Sequence, residues 1–325
     1  MDRRRSSREL RRRAVRRRRA VALGLVLLVT VATVVFVTRP GSSPTATIRP
    51  LDPARFAEGS CVAFPPTAGD RHATVFLDAG HGGIDPGGVG TTEAGTTVEE
   101  ATETLPVELE ARDLLRAEGF EVVVSRTTAA SVVRLRPSDV SGGALSLTGA
   151  HDDVVARDEC ADEAHARALV GVYYDAGASP EDAGSLTAYD SARPFAAANL
   201  RLATLLQHDV VAGMDEQGWS IPDDGVQTDG SLGSLAGNPS DGGIAGRAAA
   251  YDHLLLLGPA AAGFFSTPSL MPGAVIEPLY LTDPYEGSIA ASPKGQRVIA
   301  EGIARAVAQY LAPVRGRSGS GAPSG

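Results

Sequence analysis

The chain has 325 residues, 43% hydrophobic and 21% charged, with a formal net charge of −9; this is a globular composition with room for one large domain or two small ones. The charge is unevenly spread, since residues 1–50 hold 13 of the 30 Lys and Arg but 2 of the 39 Asp and Glu, leaving −20 on the remainder. A surface that acidic repels nucleic acid and anionic membranes, which argues against both as ligands of the folded part.

Arg3 to Arg19 is an arginine-dense run that ends directly at the uncharged stretch Ala20 to Val37. Alone, the run would read as a nucleic-acid-binding arm. At about 1.5 Å per residue, however, the apolar stretch crosses most of a hydrocarbon core of about 30 Å, and the flanking arginines orient it with its N-terminus in the cytoplasm. The expected organisation is an Arg-rich cytoplasmic segment at 1–19, a transmembrane anchor at 20–37, a Pro/Ser/Thr-rich linker at 38–70, a folded domain at 71–312 and a disordered tail at 313–325. No small-x-small cleavage site precedes the linker, so a retained anchor is expected over a cleaved signal peptide. Either way the folded part is exported. Cys61 and Cys160 then lie in an oxidising compartment, where an even pair reads as a disulfide and two free buried cysteines are the alternative.

Thr74 to Leu77 is β-branched and aromatic and reads as a buried strand. It breaks into Asp78-Ala79-Gly80-His81-Gly82-Gly83, whose glycines let the backbone turn sharply and approach a ligand. His81 is thereby set at the carboxyl end of a strand, where open α/β sheets carry their sites. A helix is expected from about Val98 to Glu118, with Gly119 as its cap and Pro106 as a kink or a later start. Glu121 to Ser125 is a second strand, ending at Arg126. Residues 127–150 read as loop, Asp153 to Ala168 as helix and Leu169 to Tyr174 as a third strand. Leu200 to Val211 is helical, and Gly213 to Gly246 irregular. Leu254 to Leu257 and Ala274 to Ile276 read as short strands, and Ile299 to Leu311 as an amphipathic final helix. Trp219, the one tryptophan, reads as packing. The alternation of strands and helices predicts a single α/β domain with a twisted, largely parallel sheet flanked by helices.

Three blocks in order resemble a known family. Val75-Phe76-Leu77-Asp78-Ala79-Gly80-His81-Gly82-Gly83 with Asp85-Pro86-Gly87 is similar to the opening block of the zinc-dependent N-acetylmuramoyl-L-alanine amidases, the bacterial cell-wall hydrolases called amidase_3. Gly119 to Arg126 fits the next block, and counting back from it selects Glu100. Pro272-Gly273-Ala274-Val275-Ile276-Glu277, followed by Leu281 to Glu286, resembles the strand and loop of the family's catalytic glutamate. The resemblance covers roughly residues 72–312. It implies a peptidoglycan hydrolase that cuts the amide between N-acetylmuramic acid and the L-alanine of the stem peptide. On that reading His81 and Glu100 ligate Zn2+ and Glu277 is the general base. It also implies a bacterial cell-membrane protein, single-pass with its C-terminal domain outside, or one secreted after cleavage.

One block departs from the family. Where a histidine completes its zinc site, this chain reads Gly171-Val172-Tyr173-Tyr174-Asp175. Four readings stand open: Tyr173 ligates as a phenolate; Asp175, on the same face two residues along, substitutes; His151 or His165 is recruited; or metal binding is weakened and the domain binds peptidoglycan or regulates wall hydrolysis without catalysis. Tyr189 and Arg193 are weaker candidates for substrate contact.

Overall fold

The computed structural model describes residues 47–232 and 243–313. Its centre is a mixed, mostly parallel sheet. In chain order the strands are β1 (Arg49–Pro50), β2 (Ser60–Phe64), β3 (Thr74–Ala79), β4 (Glu121–Arg126), β5 (Ala168–Val172), β6 (Ser185–Tyr189), β7 (Asp223–Thr228) and β8 (Gly273–Glu277). Across the sheet the order is β1-β2-β4-β3-β5-β8-β6-β7. The central β4-β3-β5-β8 pairings are parallel, whereas β2 joins β4, and β6 joins β8, antiparallel.

The period-2 alternation of the strands assigns their faces. Val75, Leu77, Val122, Val124, Val170 and Val172 pack against α1 (Glu100–Ala117), α3 (Ala196–Asp215) and the last helix, Pro293–Tyr310. Phe76, Val123, Leu169 and Val275 face the other way, onto α2 (Leu147–Glu163). With both faces covered, the central strands read as continuous apolar runs, as parallel sheets do.

Several boundaries differ from those expected. β2 lies inside the expected linker, is buried throughout and pairs with β4, so the folded unit begins well before residue 71. α1 runs unbroken through Pro106. α2 starts six residues early because Ser146 caps it, its side chain accepting from the Gly149 amide. Leu254 to Leu257 form a buried turn instead of a strand, and the expected irregular region contains β7 and α4 (Gly243–Ala250). Trp219 packs against the core with the ammonium of Lys294, the chain's one lysine, 5.3 Å from its ring centroid. Cys61 on β2 and Cys160 on α2 form a disulfide. The expected anchor at 20–37 and residues 314–325 of the expected tail lie outside the described residues. Among those described, no helix is long and apolar enough to cross a membrane.

Candidate active site

β3 ends beneath a turn that two buried arginines hold from opposite sides. Arg126, at the end of β4, donates to the carbonyls of Ala79 and Gly80, and on to Ala101 and the Thr104 hydroxyl in the first turns of α1. Arg157, on α2, donates to Asp78, to the Ala79 carbonyl, to the His81 carbonyl and to Asp153. Each guanidinium replaces lost hydration with several acceptors, the condition under which a buried charge is tolerated. Together they fix the backbone that carries His81 and tie it to the helix that begins at Glu100. Neither arginine was singled out from the sequence; the available signal was an arginine ending an otherwise apolar strand.

His81 adopts a positive φ of 59°, a conformation that costs a non-glycine residue energy and persists only where its surroundings enforce it. Its Nδ1 lies 2.8 Å from Asp85 Oδ2 and its Nε2 3.0 Å from Glu100 Oε2. Glu100, almost wholly buried, also accepts from the amides of Tyr174 and Gly88. Gly87, at φ 68°, lets the loop close over this pair, for a Cβ there would lie 2.5 Å from the imidazole and 2.6 Å from the Glu100 carboxylate. Burial alone would lower the pKa of His81, but the hydrogen bonds to Asp85 and Glu100 outweigh it and raise it to about 10.

Glu277 ends β8 and lines one cavity with His81, a space of about 230 Å³ walled by Tyr173, Val275 and the Leu254–Leu256 turn. Its carboxyl is pushed up to about 8, by burial first and then by the charges of Asp175 and Glu100, and it hydrogen-bonds to Asp175. His81, Glu100, Asp175 and Glu277 thus form one neighbourhood.

Tyr173 sits beside this group without turning its oxygen into it. Its ring meets His81 edge-on at 5.6 Å, while its hydroxyl donates to Asp78 Oδ2 at 3.0 Å. Burial and the Asp78 charge hold the phenol well above its ordinary range, which disfavours the phenolate that ligation would require. His151, the recruited-ligand alternative, has Nε2 2.9 Å from the Phe264 carbonyl, and His165 is exposed just past the end of α2.

Two weaker expectations are corrected. Arg193 is buried and gives its donors to the carbonyls of Leu257, Gly258 and Ser269, so it braces loops and cannot reach for substrate. Tyr189 packs on the core at the wrong end of β6. β6 runs antiparallel to β8 with Leu186 opposite Glu277, which sets Tyr189 about 10 Å further along, toward the opposite edge.

Residues 75–309 match the family model Amidase_3, N-acetylmuramoyl-L-alanine amidase. No curated protein matches the sequence. Among solved structures, the chain resembles the CwlD amidase from Clostridioides difficile, solved in complex with the GerS lipoprotein, at 19% identity and TM-score 0.53, covering 74% of this chain and 98% of that one. Cwp6 from Clostridium difficile matches at 14% identity and TM-score 0.51, over 75% of this chain and 30% of that one. N-acetylmuramoyl-L-alanine amidase AmiC2 of Nostoc punctiforme matches at 21% identity and TM-score 0.49, over 75% and 99%.

Proposed function

We propose a reaction on one premise: the chain belongs to the Amidase_3 family of N-acetylmuramoyl-L-alanine amidases, which matches well over half of it. The bond cut is the amide between the lactyl group of N-acetylmuramic acid and the L-alanine of the peptidoglycan stem. The observation that carries this reading is that His81 and Glu277 line one cavity, with Glu100 on the His81 imidazole and Asp175 beside Glu277.

His81 Nε2 and Glu100 Oε2, 3.0 Å apart, suit a zinc ion as two of its ligands, and the carboxylates of Asp175 and Glu277 add negative charge that a divalent cation offsets. His81 and Glu100 would hold it, with Asp175 in the place that Tyr173 leaves. Bound zinc supplies an acidified water and polarises the scissile carbonyl. Asp85 engages Nδ1 of His81 and so leaves Nε2 to face the site. Glu277, poised near neutrality, takes the proton of the attacking water and delivers it to the departing amine. A binding-only domain was suggested by Tyr173 alone, and Tyr173 leaves the four other groups in place.

The proposal includes export behind the Ala20–Val37 anchor. Its supports are the arginine run, the 18-residue apolar stretch and the Cys61–Cys160 disulfide, since disulfides belong to oxidising compartments.

The test is to purify the chain, measure bound zinc and follow muropeptide release from peptidoglycan. The expected result is chelator-sensitive release of free stem peptides, reduced roughly 100- to 10,000-fold in Glu277→Gln with zinc content retained. Full activity in that variant would overturn the assignment of the base.

A further inference from the structure

A second cluster of ligand-type side chains lies away from His81. Asp190 follows β6, Asp229 follows β7, and His253 stands in the segment after α4. One ligand atom from each lies within 4.8 Å of the others. His253 Nδ1 is 2.8 Å from Asp190 Oδ2 and 3.6 Å from Asp229 Oδ2. Ligands around a tetrahedral ion at 2.0–2.1 Å stand about 3.3 Å apart, and the two observed separations bracket that value.

Three further observations point to a missing partner. Both carboxylates are buried, Asp190 completely, while the His253 side chain is 26% exposed and leaves a path inward. Asp190 Oδ1 is engaged by the amides of Ala192 and Arg193, and Asp229 Oδ2 by the amide of Leu254. Asp190 Oδ2 and His253 Nδ1 lie 2.8 Å apart as a His–carboxylate contact, and neither has a hydrogen-bond partner outside the cluster. Two buried carboxylates against one imidazole leave negative charge that a cation would offset.

We propose that Asp190, Asp229 and His253 bind a divalent metal ion, separate from any ion at His81. Asp190 lies four residues beyond the Leu186–Glu277 pair on β6, about 13 Å toward the other edge of the sheet. Two carboxylates and one imidazole suit Zn2+ or Mn2+ better than Ca2+ or Mg2+, which favour all-oxygen sites. The ion ties three separate stretches of chain together. Its third ligand directly precedes Leu254–Leu256, the turn that walls the catalytic cavity, so the site's role is to hold that wall in place.

The experiment is equilibrium dialysis of the metal-stripped full chain against Zn2+ and, separately, Mn2+, with the bound metal counted. One equivalent of at least one of the two ions is expected to disappear in His253→Gln and equally in Asp229→Asn, and to persist in His81→Ala. The metal should also raise the melting temperature of His81→Ala but not of the double variants that add Asp229→Asn or His253→Gln. Should the amidase reading fail, His81→Ala would leave the wild-type metal content unchanged while His253→Gln still removed one equivalent. If His253→Gln and Asp229→Asn both bind as much Zn2+ and Mn2+ as wild type, the cluster is a histidine held between two carboxylates and the proposal is overturned.

Discussion

At the scale of single residues, the proposed zinc site turns on Tyr173, at the position where the family resemblance calls for a histidine. The Tyr173 hydroxyl belongs to a buried relay in which Asp78 accepts from both Tyr173 and Arg157. Removing that hydroxyl should therefore be a question of stability and not of metal. Tyr173→Phe leaves one buried acceptor on Asp78 short of a donor, a cost of roughly 1–3 kcal/mol, and is expected to retain zinc at the His81 site. Asp175→Asn is expected to lose zinc affinity at that site by at least about 10-fold, the scale of damage seen even for groups that only support a ligand. Competitive zinc titration and thermal unfolding of the two variants check this. The opposite pattern, zinc lost from Tyr173→Phe and kept by Asp175→Asn, would assign the third ligand to the tyrosine.

At the scale of elements, α1 does more than present Glu100. Two turns further on, Glu108 is fully buried, and its Oε1 accepts from the amides of Ala79 and Ser125 and from the Ser125 hydroxyl, joining the ends of β3 and β4. Its Oε2 has no hydrogen-bond partner. Burial pushes this carboxyl from 4.5 up to about 8, with Arg126 opposing the shift and Asp78 adding to it. A folded-state pKa above the unfolded one means that the folded chain holds the proton more tightly. The stabilisation from Glu108 is complete below about pH 4.5 and is lost progressively as pH rises to about 8, at about 1.4 kcal/mol per unit of pKa difference. Glu108→Gln cannot titrate, so denaturant unfolding at pH 5 and pH 9 should show a smaller loss in the variant than in wild type. Parallel losses would mean that Glu108 does not govern this range. The helix also shows what sequence could reveal. His81 and Glu277 stood out in the sequence because each lies inside a short block, and Glu100 because it stands at a counted distance from one. Arg193 was misread because a string of residues does not say at which edge of a sheet a strand ends, and β6 runs against its neighbour β8. β2 was missed because Pro and Ser around it give a linker's composition, while its burial depends on pairing with β4, about 60 residues away. The Asp190–Asp229–His253 cluster has no local pattern at all, since three separate loops assemble it.

At the scale of the whole molecule, these errors share a cause and lead to a test. The sheet is built outward from β3, and its outermost strands on that side, β2 and β1, come from the first described stretch of the chain. β2 is short and meets the sheet through a single antiparallel pairing with β4 on its inner side. The Cys61–Cys160 bond adds a covalent tie from this strand to α2 across 99 residues. A loop of that length lowers the entropy of the unfolded chain by an amount worth about 4–5 kcal/mol in the chain-entropy account. For a domain of this size, about 1 kcal/mol shifts the melting temperature by about 2–4 °C, so reduction is expected to lower it by roughly 10 °C or more. The catalytic neighbourhood should feel this less, because β2 is separated from β3 by β4, and Glu277 lies on β8, further across the sheet. Paired Cys61→Ser and Cys160→Ser substitutions should thus leave amidase activity near wild type well below the new melting temperature, and shorten its half-life on warming. Scanning calorimetry with and without reductant, run beside muropeptide release at low and raised temperature, separates the two effects. An unchanged melting temperature would remove the disulfide from the account of stability. Lost activity in a folded reduced protein would mean that the β2 edge reaches the active site.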